Sequence, residues 1–239
     1  MGRRIQGSRC PLDFSILIPT KGRSHLLQPL VDHLQTMIPS EITYEILIRD
    51  ASPPNGLVLH GASHTYADEF VPKAMNKMAE EAQGEFLFML GDDMKVYPRT
   101  FPTCLTIMRQ LPGAVGIPFH ADPGIPCHAF LAYPELFVAS RQLYHWLGGL
   151  DEQFSYGYAD FDFGMKAFYT KRPLVSLLGV CVQHDMTNDA TKRHNVDTHL
   201  RVDEVKFFKK WPARPIGAEL NGSIVDFQRP KMCPFPHEN

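Results

Sequence analysis

The sequence predicts an α/β fold, a mostly parallel central sheet with helices on both faces. Two observations carry that prediction. Short apolar runs closed by Pro, Gly or Asp have the length of strands buried on both sides. Between them lie segments whose apolar residues recur three and four apart, the pattern of helices that bury one stripe. The two types alternate as strand–helix–strand–helix–strand, the order of a parallel sheet wrapped by its crossovers.

Each element follows from local chemistry. Phe14–Pro19 is an apolar run ended by Pro, followed by the loop Thr20–Arg23. Ser24 offers a hydroxyl cap to a helix with Leu26, Leu27, Leu30, Val31 and Leu34 on one side. Tyr44–Asp50 is the second strand and the following Pro-Pro-Asn-Gly a turn. A helix from Val71 carries the stripe Ala74, Met75, Met78, Ala79 and Ala82, and Gly84 supplies a stop. Glu85–Leu90 is the third strand. Further strands are expected at 114–119, 135–140 and 174–184, with a loop or hairpin over 120–134. A short helix starts at Arg141 and ends at Gly148-Gly149, another starts near Asp160, and a last one lies within 202–211 before a Pro-rich tail.

Bulk properties narrow the class. At 239 residues, 44% apolar and 21% charged, the chain suits one large globular domain. A net charge of −2 gives no global case for a nucleic-acid or membrane partner. Five cysteines without a CxxC fit a reducing compartment. The basic N-terminus lacks an apolar signal core, and no apolar run reaches the roughly 18 residues of a membrane span, so a cytoplasmic location is expected.

The chemistry concentrates at strand ends. Phe86–Leu90 runs into Gly91 and then the adjacent acids Asp92 and Asp93. Two carboxylates about 4 Å apart repel by ~1 kcal/mol in water and by more at a surface-like dielectric. Asp50, Asp92 and Asp93 all follow predicted strands, which puts them on the rim where open α/β sheets bind ligands. A divalent cation, Mg²⁺ or Mn²⁺, would relieve the repulsion and complete its shell with phosphate oxygens. A solvated turn is the plainer use of the same residues. His184 ends its own strand and is a third ligand candidate. Asp160 and Asp162 open a helix, where the dipole favours the ionised form and suits a general base; a simple acidic cap is the alternative.

Five stretches, SILIPTKGR, YEILIRDAS, VPKAMNKMAEEAQGEFLFMLGDDM, ASRQLYHWLGGLDEQFSYGYADFDFGMKA and VQHDM, stand in an order that resembles the GT-A fold glycosyltransferases, in particular the large inverting family 2. The likeness spans roughly residues 13 to 186. It implies a Rossmann-like sheet in which Thr20, Arg23, Asp50, Asn76 and Asp92 face the nucleotide-sugar donor. Asp93 and His184 would hold Mn²⁺ or Mg²⁺, and Asp160 would be the general base. Trp146 and Asp162 are the acceptor-side candidates. Residues 1–12 would be a flexible lead, 13–110 the donor half, 111–200 the acceptor half and 201–239 a C-terminal helix and tail.

Three positions depart from the family's pattern. Gly91 stands where an acid commonly opens the metal motif, Ala159 replaces the Glu of the Glu-Asp pair, and Ala51 replaces the Gly after Asp50. The implied reaction is metal-dependent, inverting transfer of a sugar from a nucleoside diphosphate, UDP being commonest, to an acceptor hydroxyl. That acceptor is a glycan, a lipid-linked sugar or, less in keeping with the charge pattern, modified DNA. The alternatives are a nucleotidyltransferase, against which the absence of a G-x-G loop counts, and an inactive nucleotide- or glycan-binding module.

Overall fold

The computed structural model describes residues 12–122, 125–128, 136–184 and 190–212. One sheet runs through it in the order β3-β2-β1-β4-β8-β6-β9-β5, with β7 beside β6. Its strands are β1 (Leu12–Thr20), β2 (Tyr44–Asp50), β3 (Ser63–Tyr66), β4 (Gly84–Leu90), β5 (Met94–Val96), β6 (Val115–Asp122), β7 (Ile125–His128), β8 (Leu136–Ser140) and β9 (Leu174–His184). The β3-β2-β1-β4 half is parallel throughout. Beyond it β8 lies antiparallel to both β4 and β6, while β6 and β9 are parallel.

The pleat distributes the core. Phe14, Ile16 and Ile18 of β1 point to one face and Leu17 to the other. On the first face pack α1 (Ser24–Met37), through Leu27, Leu30, Val31 and Leu34, and α3 (Thr100–Gln110), through Phe101, Cys104 and Met108. The second face is covered by α2 (Val71–Glu81), α4 (Arg141–Trp146) and α5 (Ala159–Tyr169), with Met75, Met78, Tyr144 and Phe163 buried against it. Phe207 of α7 (Arg201–Lys210) completes that layer. Leading into α7 are α6 (Ala190–Asn195) and a π-helical turn, Val196–Leu200.

Several local expectations are corrected. Ser24 does not cap α1; Arg23 stands at the cap position and its side chain makes no capping bond to the helix, and the Ser24 hydroxyl accepts from Asn55 instead. Gly84 does not stop α2, which ends at Glu81, but begins β4. A Cβ at Gly84 would stand 2.3 Å from the Ser15 backbone nitrogen, so the close approach of β4 to β1 requires glycine. The segment 97–113 contains the full helix α3, and β3 and β5 are short strands that pairing alone reveals. β6 and β7 pair antiparallel, while residues 123–124 and 129–135, where a loop or hairpin is expected, lie outside the described set.

Two consequences position the site. The parallel strands β1, β2 and β4 end on one rim, at Thr20, Asp50 and Leu90. Antiparallel pairing of β5 with β9 sets Met94 opposite His184, which brings the end of β9 beside Asp93.

Candidate active site

At that rim Thr20, Arg23, Asp92, Asp93 and His184 converge. The Thr20 hydroxyl donates to Asp92 Oδ2 at 2.6 Å. Arg23 Nη1 donates to Asp92 Oδ1 at 2.7 Å and to Asp93 Oδ2 at 3.2 Å. His184 Nε2 lies 3.2 Å from Asp93 Oδ1. The adjacent acids are thus held together by one guanidinium, one imidazole and one hydroxyl. Burial pushes the Asp92 carboxyl above the usual carboxylate range; Arg23 and Thr20 oppose this and the charge of Asp93 adds to it.

These groups lie in the wall of a cleft of about 940 Å³, its open mouth included. Lys21, Arg49, Glu69, Phe70, Ser155 and Tyr156 also line it, together with His194 and Asn195 of α6 and His199 of the π turn. Among the described residues no group of three or more His, Cys, Asp or Glu side chains is arranged to hold a metal ion. Two ligands on one octahedral Mg²⁺ or Mn²⁺ at about 2.1 Å stand about 3.0 Å apart. The Asp93–His184 spacing of 3.2 Å therefore fits a pair of adjacent ligands, with the remaining positions open to water and phosphate.

Other expected site residues lie away from the cleft wall. Asp50 is fully buried; it accepts the Ser52 amide at 2.8 Å and stands 3.5 Å from His64 Nε2. Asn76 ties α2 to the loop after α4: its amide donates to Leu150 O and Glu152, and its oxygen accepts from Tyr144 and Leu150 N. Trp146 is 56% exposed, with the Arg172 guanidinium 4.5 Å over its ring. Asp162 is fully buried, bonded to Trp211 Nε1 at 2.8 Å and paired with Lys210 and Lys166 at 2.6 and 3.3 Å.

Asp160 is also buried, in the first turn of α5 and four residues beyond the cleft-lining Tyr156. The residue capping that helix, Tyr158, has φ 64° and ψ −6°, a left-handed conformation that costs a non-glycine residue about 1–3 kcal/mol. Burial and Glu204, which accepts its hydroxyl proton at 3.1 Å, push the Tyr158 phenol up to about 12.

Asp203 of α7 explains how the turn is held. Its buried carboxylate accepts the backbone N–H groups of Ser155, Tyr156 and Gly157 at 2.9, 2.8 and 3.3 Å. Sequence reasoning missed Asp203, His194 and His199, because in linear order they belong to a polar, mixed-charge stretch. The one available signal was Gly157 set between Tyr156 and Tyr158, a tight loop whose backbone N–H groups need an acceptor.

The sheet order, the rim acids and the cleft define a GT-A glycosyltransferase fold. The solved structures that share it include TarS of S. aureus, residues 1–349, at 13% identity and TM-score 0.60 over 72% of this chain and 60% of that one. GalNAc-T7 with UDP, GalNAc and Mn²⁺ matches at 14% identity and TM-score 0.63, over 84% of this chain and 50% of that one. The mannosyltransferase PcManGT of Pyrobaculum calidifontis, with GDP-Man and Mn²⁺, matches at 15% and 0.63, over 85% and 65%. The chain spans between half and two thirds of the length of these three proteins. No protein-family model and no curated protein sequence matches it. Among the described residues no helix is long and apolar enough to cross a membrane.

Proposed function

We propose that this protein transfers a sugar from a nucleoside-diphosphate donor to an acceptor hydroxyl with inversion, in the manner of glycosyltransferase family 2. The single observation that carries the reading is the convergence of Thr20, Arg23, Asp92, Asp93 and His184 on one cleft at the carboxyl rim of a GT-A sheet. Residues 13–110 serve the donor and 111–200 the acceptor. UDP- and GDP-sugars are the donors to test first, because TarS is known with UDP-GlcNAc and PcManGT with GDP-Man.

Asp93 and His184 would hold the divalent cation, and Asp92, Thr20 and Arg23 form the floor beside it. When bound, the ion supplies Lewis-acid neutralisation of the departing diphosphate. Arg23, already within hydrogen-bond distance of both acids, adds a fixed positive charge at the same place. Asp160 takes the proton of the acceptor hydroxyl as its oxygen attacks the anomeric carbon from the face opposite the leaving group. Asp50 and Asn76 act from behind the cleft, one bracing the β2 end and one fixing the loop after α4.

The deciding experiment incubates the protein with UDP- and GDP-sugars, Mn²⁺ and a panel of glycan acceptors, and identifies the phosphate product. Release of UDP or GDP, abolished by chelator, is the expected result. Release of pyrophosphate from a sugar phosphate and a nucleoside triphosphate would instead establish nucleotidyl transfer. Absence of both transfer and hydrolysis, with nucleotide binding retained, would establish a binding module.

A further inference from the structure

The helical segment from Ala190 to Lys210 changes its winding once, at the π turn Val196–Leu200. Such turns are rare, occur mostly as single turns within α-helices, and are frequent at functional sites. Their effect on side-chain direction is specific. In an α-helix, residues five apart lie about 140° apart around the axis. With i→i+5 bonding the same two residues lie nearly one above the other. His194 and His199 are five apart across this turn, their rings are 6.0 Å from centre to centre, and both line the cleft.

The turn is held in place from two sides. The His199 ring packs edge-on against Phe70, also in the cleft wall, at 5.2 Å. Just beyond the turn, Asp203 binds the Ser155–Gly157 backbone. Leu200, the last residue of the turn, is packed so closely on Gly157 that a Cβ there would meet its Cδ1 at 2.5 Å. The Thr198 hydroxyl donates to the His194 carbonyl and occupies an acceptor that irregular winding would otherwise expose. Lys21 and Arg23 line the same cleft.

We propose that His194 and His199 form a two-imidazole clamp for the phosphate groups of the ligand that fills this cleft, and that the π turn exists to aim both rings at it. A neutral imidazole donates one N–H and an imidazolium two, and phosphate oxygens accept both. With Lys21 and Arg23 in the same lining, the clamp gives the cleft a cationic and hydrogen-bonding set for a diphosphate. The identification of the diphosphate as a nucleotide's rests on the proposed function; the clamp itself does not.

The test measures binding of inorganic pyrophosphate, UDP and uridine by calorimetry to wild type, His194→Ala and His199→Ala. Removing one hydrogen bond to a charged group should weaken pyrophosphate and UDP alike by about tenfold or more and leave uridine unchanged. His194→Gln, which keeps an N–H donor, should recover part of the loss. Thermal melting confirms that both alanine variants fold. If wild type binds pyrophosphate but not UDP, and the variants lose pyrophosphate, the clamp stands and the nucleotide reading fails. Pyrophosphate binding that is absent in wild type, or equal in wild type and both alanine variants, overturns the clamp.

Discussion

His184 Nε2 faces Asp93 Oδ1 at 3.2 Å because the short strand β5 pairs Met94 directly with His184. Neither residue reaches the other through its own element; the contact is made by the register of two antiparallel strands. If this pair grips the cation, His184→Ala should weaken Mn²⁺ binding by about tenfold or more, since even lost supporting contacts around a metal cost 10–100-fold. Asp93→Asn should abolish it. Mn²⁺ titration followed by electron paramagnetic resonance reads this directly, and undiminished affinity in both variants would rule the pair out as ligands.

Asp13 gives a pH prediction remote from the cleft. It accepts the Thr43 amide at 2.8 Å, the Thr43 hydroxyl at 2.9 Å and Arg109 Nη2 at 2.5 Å. Burial pushes its carboxyl up, but these bonds outweigh it and hold the group below the ordinary 3.8. A depressed folded-state pKa contributes stability that is full above the unfolded value and disappears as pH falls through the folded one. Asp13→Asn should therefore cost about 0.5–1.5 kcal/mol at neutral pH, with the gap to wild type closing below about pH 4. Urea unfolding at pH 7, 5, 4 and 3 measures it; a gap independent of pH would refute the assignment.

Asp203→Ala tests the brace between α7 and the turn before α5. Three backbone N–H groups lose their acceptor and Lys206, 3.0 Å away, loses its counter-charge. We expect a loss of about 2–3 kcal/mol in urea unfolding. Tyr158 would also be released from its left-handed conformation, so transfer should fall more than donor affinity does. Equal loss of both would show that Asp203 supports the whole cleft and not the α5 end alone.

The parallel half of the fold was legible because its signals are local. The runs 14–19, 44–50 and 85–90 are apolar by composition, and the stripes of α1 and α2 follow a 3.6 period. What the sequence hid depends on distant partners. β5 is three residues long and exists through β9; β3 alternates polar residues at a sheet edge. Gly84 looks like a helix stop, yet it is the strand residue that lets β4 touch β1. At the site, the acid pair pointed to a cation, and the partner in the structure is Arg23, whose loop gives no hint that it folds back over both acids. The π turn has no compositional mark, so His194 and His199 could not be placed in the cleft from spacing, which for an α-helix puts them on different sides.

Asp160 and Asp162 offer the sharpest contrast, since both acids sit buried in the first turn of one helix. Their neighbours differ. Asp162 is fixed between Trp211, Lys210 and Lys166, and Lys210 also reaches Asp151 at 2.5 Å, so this carboxylate joins α5 to α7. Asp160 follows the strained Tyr158 and the cleft-lining Tyr156. Breaking a buried ion pair by removing one charge typically costs about 3–5 kcal/mol. Asp162→Asn, which keeps the acceptor for Trp211, should cost about 2–3 kcal/mol in urea unfolding and leave the rate of transfer within about threefold of wild type well below its melting temperature. Asp160→Asn should do the reverse: near-normal stability and donor affinity, with transfer slowed by about 10²–10⁴. Steady-state kinetics and unfolding curves on the two variants separate the roles, and a fast Asp160→Asn enzyme would remove the general base from the proposed mechanism.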